Sequence, residues 1–248
     1  MSEIATNGGK QILFRHPDKA MTSETENTYG TWHRNSTGEV AMADIHTPYW
    51  QHFIEVLPEK DLTDRTVLDF GCNRGGFLRL LYDTRPFRQG LGLDIASQSI
   101  AEAKKAAGDR PLSYHVDSDP ARMGIEFDLA FSYEVIYLLP NLGEHARQIG
   151  ASLHKGGIYY AVTGCHTESP LWNRRKEVIA ASSNTPVQSY SADDYINAFA
   201  ENGFAVTLRK FGFCGFVPPP VNRKFHPGIM DALTYNDNEK ILFRFEKL

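Results

Sequence analysis

The stretch TVLDFGCNRGGFLRLL, residues 66–81, constrains the fold more than any other part of the chain. It begins as an apolar strand, breaks into a glycine-rich turn and resumes with the apolar spacing of an amphipathic helix. A strand, a glycine-rich turn and a helix in this order usually hold a ligand that contains a nucleotide. The acid Asp69 precedes the first glycine of the turn, Gly71, so the charge at this point decides which ligands fit.

The same change from strand to helix recurs along the chain after residue 66. This alternation predicts an α/β fold with a doubly wound, mostly parallel sheet. Right-handed crossovers would bring the carboxyl ends of the parallel strands to one edge of the sheet, where such folds bind ligands. We predict strands at residues 66–70, 90–94, 112–116, 128–132, 158–163, 204–213 and 239–247. We predict helices at residues 48–57, 75–82, 97–107, about 142–153, 170–181 and 191–203.

Charge and cysteine content exclude several classes of protein. The formal net charge is −4, whereas a dedicated nucleic-acid binder normally carries a basic surplus. The three cysteines, Cys72, Cys165 and Cys214, form no CxxC pair, so we expect no disulfide framework, no metal site and a cytoplasmic location. No apolar run approaches the ~20 residues that span a bilayer, and the N-terminus lacks the pattern of a signal peptide. We therefore expect neither a nucleic acid nor a membrane as partner.

Electrostatics separates the two ligand classes that this glycine-rich turn could hold. Residues 71–76 fit the dinucleotide pattern GxGxxG if Asn73 replaces the middle glycine, and asparagine tolerates left-handed backbone better than other non-glycine residues. A pyrophosphate would nevertheless be repelled by the Asp69 carboxylate at the end of the strand. A ligand with an ammonium or a sulfonium group would be attracted instead. S-adenosylmethionine carries both groups and no phosphate.

At these residues the chain resembles the class I S-adenosylmethionine-dependent methyltransferases. The family's first motif, an apolar strand, an acid and a GxGxG-type turn, is similar to the segment from Val67 to Gly75, with Asn73 in place of a glycine. Similar segments follow in the family's order: GLGLDIA, YHVDSD, FDLAFSYEVIYLL, LHKGGIYYAVTG and ENGFAV. The resemblance implies a Rossmann-like methyltransferase fold with seven strands, the last of them antiparallel. It also implies an enzyme that uses S-adenosylmethionine and releases S-adenosylhomocysteine.

The resemblance further implies which residues bind the cofactor. An acid after the second strand would accept hydrogen bonds from the ribose diol, and an acid after the third strand would lie near the adenine amino group. The N-terminal aromatic segment would fold over the cofactor, where Arg34 would pair with its carboxylate. The residues predicted in this way are Asp69, Gly71, Cys72, Asn73, Gly75, Asp94, Ile95, Asp117, Ser118, Ser132, Tyr133, Tyr29, Trp32 and Arg34.

The organisation of the chain follows from where the strand–helix rhythm begins and loosens. We predict a single domain over residues 1–248, with about residues 1–60 as an N-terminal cap or lid. Residues 61–165 would form the cofactor-binding core, and residues 166–248 the substrate-side helices and a strand pair. Within the last part, three consecutive prolines exclude regular structure near residue 219. The segment 214–238 either packs beside the substrate opening or is a surface excursion.

Methyl transfer from a sulfonium is an in-line displacement, so alignment of the reactants and exclusion of water supply most of the catalysis. A general base is needed only when the acceptor loses a proton. Our candidates for catalytic residues are His33, His166 and Tyr133. The two histidines are favoured because a neutral imidazole suits proton removal near pH 7. Further candidates in the same loops and the N-terminal segment are His46, Glu134 and Tyr137.

A small molecule is the favoured methyl acceptor. The segment after the fourth strand, SYEVIYLLPN, lacks the N/D-P-P-Y/F pattern of methyltransferases that modify adenine or amide nitrogen, and the chain shows no basic stripe. Three alternatives stay open: a methyltransferase that acts on tRNA or protein, a dinucleotide-dependent oxidoreductase, which Asp69 opposes, and a cofactor-binding protein without catalysis. The sequence leaves the oligomeric state open.

Overall fold

A single seven-stranded sheet forms the centre of the structure. The computed structural model describes residues 29–34, 36–220 and 223–248, so the predicted cap at residues 1–60 lies in part outside the described residues. Apolar, β-branched and aromatic residues dominate the buried stretches of most strands. The strands are β1 (Leu62–Phe70), β2 (Phe87–Asp94), β3 (Leu112–Val116), β4 (Phe127–Tyr133), β5 (Leu153–Thr163), β6 (Phe204–Lys210) and β7 (Ile241–Lys247).

The strand order of this sheet is β3-β2-β1-β4-β5-β7-β6. Strands β1 to β5 pair in parallel, while β7 is antiparallel to both of its neighbours, β5 and β6. The winding reverses between β1 and β4, where open α/β sheets form a crevice at the carboxyl ends of the strands. This topology confirms the predicted doubly wound sheet with its last strand antiparallel.

Helices cover both faces of the sheet. The last long helix before β6 begins with a capping box, in which the Ser191 hydroxyl accepts from the Asp194 N–H and the Asp194 carboxylate accepts from the Ser191 N–H. No helix within the described residues is long and apolar enough to cross a membrane. The helices are α1 (Ser36–Val56), α2 (Gly76–Thr84), α3 (Ser97–Ala106), α4 (Leu142–Ser152), α5 (Trp172–Ser182), α6 (Ala192–Ala200) and α7 (Ile229–Thr234).

Several predicted boundaries are wrong: β1, β2 and β5 begin three to five residues earlier than predicted, and three further differences each have a local reason. The helix predicted at residues 48–57 spans Ser36–Val56, because Pro48 removes one backbone donor without ending the helix. Strand β6 stops at Lys210 rather than 213, and the backbone turns left-handed at Gly212 with a φ of 66°. Strand β7 begins two residues later than predicted, because Tyr235–Glu239 forms a π-helical turn after α7.

The two faces of the sheet carry two apolar clusters that fix the edge where the strands end. On one face α1 packs through Phe53 on Phe77 of α2, with ring centroids 5.3 Å apart, and on Phe131 of β4 at 5.8 Å. On the other face Phe199 of α6 stacks on Phe245 of β7 at 3.8 Å. Burial of such aromatic side chains contributes about 25 cal/mol per Å² of apolar surface. The carboxyl ends of β1, β2 and β4 are thereby held between α1 and the chain that follows β6.

Candidate active site

A cavity of about 1090 Å³ lies at the carboxyl ends of β1, β2 and β4. Its two ends differ in chemistry, and they meet at residues 133–135 after β4. The turn end is formed by the loops after β1, β2 and β3. The lysine end is formed by α1, the segment after β4 and the chain before β7. The turn end contains Asp69, Gly71, Cys72, Asn73, Asp94, Ile95, Asp117 and Ser118, and the lysine end contains His46, Tyr49, Tyr133, Glu134, Tyr235 and Lys240.

The glycine-rich turn after β1 requires left-handed backbone at three positions, which are Gly71 with φ 76°, Asn73 with φ 48° and Gly75 with φ 70°. The prediction that Asn73 replaces a glycine in left-handed geometry is confirmed. A Cβ atom at Gly71 would lie 2.4 Å from a methyl carbon of Val135, so only glycine fits there. Gly75 packs against the ring of Tyr114 below the turn and does not line the cavity.

Asp94 ends β2 and ties two loops of the turn end together. Its Oδ2 accepts the backbone N–H of Asn73 at 2.8 Å, and its Oδ1 accepts the N–H of Ala96 at 2.8 Å. An ionised carboxylate oxygen can accept more than one hydrogen bond. A carboxylate held in this way presents two parallel acceptors, which suits a diol.

Asp69, the last residue but one of β1, has a buried carboxyl group that faces the cavity with 3% exposure. Its Oδ2 has no hydrogen-bond partner among the described residues. Burial, together with the negative charge of Asp94, raises the pKa of Asp69 to about 8. A positively charged donor beside this oxygen would satisfy it and favour the ionised form of Asp69.

The other loops of the turn end place the remaining predicted cofactor residues. Asp117 and Ser118 line the cavity after β3, where Asp117 Oδ1 accepts the N–H groups of Ser118 at 2.8 Å and Asp119 at 2.9 Å. Asp119, the other acid of this loop, caps the next turn through the Ala121 N–H and does not line the cavity. Burial raises the pKa of the Cys72 thiol well above its ordinary value, so Cys72 contributes shape and backbone rather than a nucleophile.

Residues 29–34 form a strap across the mouth of the cavity. Backbone oxygens of Tyr29 and Gly30 accept the N–H groups at the start of α3, and the Asn184 N–H donates to the Trp32 oxygen after α5. The side chains of Tyr29 and Trp32 line the cavity, and the Trp32 indole N–H has no partner among the described residues. Arg34 donates instead through Nε to the Ser183 oxygen at 2.9 Å, so its guanidinium anchors the strap to α5.

Five predicted site residues lie away from the cavity wall, namely Gly75 and Arg34, which are described above, and Ser132, His166 and His33. Ser132 is buried and shares a 2.7 Å hydrogen bond with the Tyr159 hydroxyl inside the sheet. His166 is held between Glu168 and the Glu239 backbone oxygen, at 3.1 Å and 2.8 Å. His33 packs edge-on against Trp32 within the strap. The structure therefore brings most of the predicted cofactor residues together, but of the three catalytic candidates it brings only Tyr133 to the cavity.

The lysine end is organised around a buried ammonium group. Lys240 is 4% exposed, and its Nζ donates to the Tyr133 hydroxyl at 2.6 Å and lies 3.1 Å from Glu134 Oε1. The same Nζ lies 4.8–5.1 Å from the ring centroids of Tyr49, Tyr133 and Tyr235. A buried lysine is stabilised by such an ion pair and by aromatic rings around its charge.

Glu134 holds this arrangement in place from a left-handed backbone position with φ 57°. Its Oε2 accepts from the Thr163 hydroxyl at 3.2 Å and the Gly164 N–H at 3.3 Å, and its Oε1 accepts from the Tyr235 hydroxyl at 3.2 Å. Burial alone would raise the pKa of Glu134, but the charge and hydrogen bond of Lys240, together with the Gly164 N–H, lower it below its ordinary value. The carboxylate is therefore charged and fully engaged.

His46 of α1 completes the lysine end. Its ring packs edge-on against Tyr133 at 5.4 Å between centroids and against Trp50 at 5.9 Å. Burial, and after it the Lys240 ammonium, lowers the pKa of His46 to about 4, although Glu134 opposes this shift. No described residue forms a hydrogen bond with either ring nitrogen. His46 is thus a neutral imidazole that lines the cavity.

Sequence reasoning missed the residues of the lysine end that come from the C-terminal part of the chain. Lys240 and Tyr235 lie about 100 residues after Tyr133 and Glu134, and no spacing pattern connects them. The sequence contained one usable signal: Lys240 directly precedes the apolar strand β7. A lysine beside a buried strand needs a buried partner. No group of three or more His, Cys, Asp or Glu side chains in the described ranges could hold a metal ion.

Comparison with known proteins places this geometry among methyltransferases. A family model described as methyltransferase domain matches residues 42–208. Malonyl-[acyl-carrier protein] O-methyltransferase from Legionella pneumophila is 27% identical over 125 residues, which cover 49% of this chain and 44% of that protein. The match therefore spans less than half of that relative's length.

Solved structures share the fold at low sequence identity. A chain from the complex of the Haloferax volcanii Trm112 methyltransferase activator with a methyltransferase has a TM-score of 0.72 at 20% identity, covering 85% of this chain and 94% of that one. Geranyl diphosphate C-methyltransferase from Streptomyces coelicolor, in complex with Mg²⁺, geranyl-S-thiolodiphosphate and S-adenosyl-L-homocysteine, has a TM-score of 0.60 at 14% identity, covering 84% and 76%.

Proposed function

The chain belongs to the methyltransferase domain family, and we propose that it transfers a methyl group from S-adenosylmethionine to a small-molecule acceptor by in-line displacement. Family membership confirms the predicted enzyme class and its cofactor, S-adenosylmethionine, with S-adenosylhomocysteine as the product. The activity of this particular chain and its acceptor are what we propose here. The proposal depends on one observation, the unpartnered Asp69 carboxyl group at the turn end.

The residues of the turn end fit S-adenosylmethionine. Asp69 offers a buried acceptor oxygen to an ammonium group, and Asp94 offers two acceptors to the ribose hydroxyls. Asp117 and Ser118 border the position for the adenine, and Tyr29 and Trp32 of the strap provide aromatic surfaces that favour a cationic ligand. When bound, S-adenosylmethionine supplies an electrophilic methyl group on a sulfonium.

The chain's own contribution is to align the acceptor and exclude water. The strap crosses the cavity between α3 and α5, and the proline segment 217–220 forms another part of the wall. The lysine end, on the far side of residues 133–135, is the space that remains for an acceptor. Its concave, mainly aromatic walls favour a small molecule over a polynucleotide or a folded protein. The net charge of −4 gives no support to a nucleic-acid acceptor.

The names of the related proteins are compatible with small acceptors but do not choose among them. One relative is named for a malonyl group on a carrier protein, and the other for geranyl diphosphate. We infer that this chain likewise methylates a small molecule or a small group that enters the cavity. A methyltransferase for tRNA or protein remains the runner-up function.

The proposal is tested by calorimetric titration of the purified chain with S-adenosylmethionine and, separately, with NADH. We expect binding of S-adenosylmethionine and none of NADH, because an ammonium group stabilises the ionised form of Asp69, whereas a pyrophosphate does not. Binding of NADH alone would replace the proposal by an oxidoreductase. With methyl-labelled S-adenosylmethionine, label should pass to a panel of small molecules. Label that passes only to bulk tRNA or protein would instead favour the runner-up.

A further inference from the structure

Resting on the proposed function, we propose that the acceptor is a hydroxyl-bearing aromatic molecule whose hydroxyl lies between His46, which takes its proton, and Tyr133, which Lys240 fixes in place. The chain would then be an O-methyltransferase. His46 would be a catalytic residue and Lys240 a positioning residue.

The walls of the lysine end argue for a flat, apolar acceptor skeleton. Aromatic rings and a run of prolines surround the polar groups, and such surfaces stack on planar molecules. The polar groups of this part of the wall come from the segment after β4, from His46 of α1, and from His226, Tyr235, Asn236 and Lys240 before β7. The apolar wall consists of Tyr49, Trp50, Phe77, Val217, Pro218, Pro219, Pro220 and Phe225.

The hydrogen bond that Lys240 donates to Tyr133 determines whether Tyr133 acts as a donor or an acceptor towards a ligand. Because the Tyr133 oxygen accepts from the ammonium at 2.6 Å, its own O–H proton must point elsewhere. No described residue accepts that proton, and burial raises the pKa of Tyr133 well above its ordinary value, so the phenol stays protonated. Tyr133 therefore presents a donor that suits the lone pair of an acceptor oxygen.

His46 presents the complementary group. Its ring is neutral at pH 7, lies edge-on to Tyr133 and has no hydrogen-bond partner among the described residues. An unprotonated imidazole nitrogen accepts a proton from a hydroxyl group. A hydroxyl at this place would therefore donate to His46 and accept from Tyr133, which satisfies both of its hydrogen-bonding roles.

The charge balance of the lysine end favours a hydroxyl over a carboxylate. The Lys240 ammonium is already paired with Glu134, whose two oxygens are engaged by Lys240, Tyr235, Thr163 and Gly164. The pair is neutral as a whole, so it does not provide the surplus positive charge that a buried anion needs. A carboxylate acceptor would also lie close to the charged Glu134.

The proposed step conserves atoms and charge. The acceptor O–H bond breaks, its proton joins a ring nitrogen of His46, and the oxygen forms a bond to the methyl carbon. The C–S bond breaks, and its electron pair stays with the sulfur. The positive charge moves from the sulfonium to the imidazolium, which then releases the proton to water. Loss of the sulfonium charge makes protonation of His46 easier at the moment when it is required.

The test uses three probes with one skeleton: 2-naphthol, 2-naphthoate and 2-methoxynaphthalene. Binding is measured on the protein loaded with S-adenosylhomocysteine, and transfer is measured with methyl-labelled S-adenosylmethionine. We expect 2-naphthol to bind at least tenfold more tightly than 2-methoxynaphthalene and to be methylated, while 2-naphthoate is not. Equal binding of 2-naphthol and 2-methoxynaphthalene, or methylation of 2-naphthoate in preference to 2-naphthol, would overturn the proposal. Failure of S-adenosylmethionine to bind at all would instead overturn the proposed function.

Variants assign the roles. His46→Asn should lower kcat on 2-naphthol by about 10²–10⁴-fold with an unchanged dissociation constant for S-adenosylmethionine. The matched control is His154→Asn, an exposed histidine paired with Glu126, which should leave kcat unchanged. Tyr133→Phe should remove the preference for 2-naphthol over 2-methoxynaphthalene while the fold is kept. Full activity in His46→Asn, or an undiminished preference in Tyr133→Phe, would contradict these roles.

The positioning role of Lys240 has a readout that does not depend on transfer. Removing the ammonium in Lys240→Met should raise the pKa of His46 above about 4, because the second cause that lowers it is lost, while burial, the larger cause, stays. The shift is measured by NMR titration of the His46 ring, identified by its loss in His46→Asn. Lys210→Met, an exposed lysine bound to Asn238, is the control. An unchanged His46 pKa in a folded Lys240→Met variant would contradict the coupling.

Discussion

The turn end and the lysine end share one cavity, but their sequences and charges differ. The turn end is built from short loops that directly follow β1, β2 and β3, and its titratable groups are mainly acids. The lysine end joins α1, the segment after β4 and the chain before β7, and it contains a buried ammonium. A motif that is continuous in sequence thus provides acidic groups that suit a cationic cofactor. On the proposed function, residues that are far apart in sequence would determine the acceptor.

The largest difference between cofactor binding at the turn end and acceptor binding at the lysine end is expected for a substitution of Gly71. In Gly71→Ala the new Cβ would approach Val135 at a left-handed position, which costs about 2–5 kcal/mol in strain and overpacking. We expect loss of S-adenosylmethionine binding in calorimetry, with binding of 2-naphthol reduced much less. Gly124→Ala is the matched control, since Gly124 is also left-handed but has nothing within 4 Å. Retained cofactor binding in Gly71→Ala would place the cofactor elsewhere.

The next effect concerns Asp69 and the stability of the unliganded protein. Its pKa is raised to about 8 in the folded state, so between about pH 4 and 8 the folded protein binds a proton that the unfolded chain has lost. The stability contributed by this group therefore falls as the pH rises, by up to about 1.4 kcal/mol per unit. Asp69→Asn should remove this slope.

Denaturant unfolding from pH 5 to 7.5 measures how the pH dependence of stability differs between the wild type and Asp69→Asn. The free energy of unfolding of the wild type should fall relative to that of Asp69→Asn as the pH rises. Comparison of the two proteins cancels the opposite contribution of His46, His145 and His226, whose pKa values burial lowers. Parallel pH dependence of the two proteins would show that Asp69 is ionised without a ligand.

A smaller effect is expected at Asp94. Removing its carboxylate in Asp94→Ala should weaken S-adenosylmethionine binding by about 1–3 kcal/mol, the scale for a lost charged hydrogen-bond partner. Asp119→Ala, in the next loop but outside the cavity wall, should leave the affinity unchanged. Equal affinities of Asp94→Ala and the wild type in calorimetry would remove Asp94 from the cofactor site.

The smallest effect is expected at Arg34, where the sequence predicted a pair with the cofactor carboxylate. Its Nε donates to the Ser183 oxygen, so Arg34→Gln should weaken the strap by about 0.5–1.5 kcal/mol. We expect a matching, modest loss of cofactor affinity with an unchanged salt dependence. A loss of 3 kcal/mol or more that salt reduces, on the scale of a broken buried ion pair, would show direct pairing with the cofactor instead.

The sequence predicted the sheet and the turn end because both depend on local patterns. Apolar runs separated by helical spacing determine the strand count, and the acids Asp69 and Asp94 each close a strand, which fixes their position at one edge. The antiparallel position of β7 came from the family resemblance. The helix α1 was too short in the prediction because Pro48 was treated as a start, whereas the helix continues through it.

The lysine end could not be predicted in the same way. The ring of Tyr133, the Glu134 carboxylate and the Lys240 ammonium meet only after β7 has inserted beside β5. His46 and His166 looked alike in the sequence, and only the fold shows that His166 is engaged by Glu239 while His46 faces the cavity without a partner. Proton acceptors are selected by tertiary neighbours, which a single sequence does not display.

The central claim is that an acid at the end of β1 selects a cationic methyl donor. The most direct test is calorimetric titration of S-adenosylmethionine at pH 7 in two buffers of different ionisation enthalpy. Because Asp69 is protonated in the free protein and charged beside an ammonium group, we expect release of about one proton per molecule bound, and none in Asp69→Asn. Binding without proton release, or with the same release in Asp69→Asn, would contradict the account.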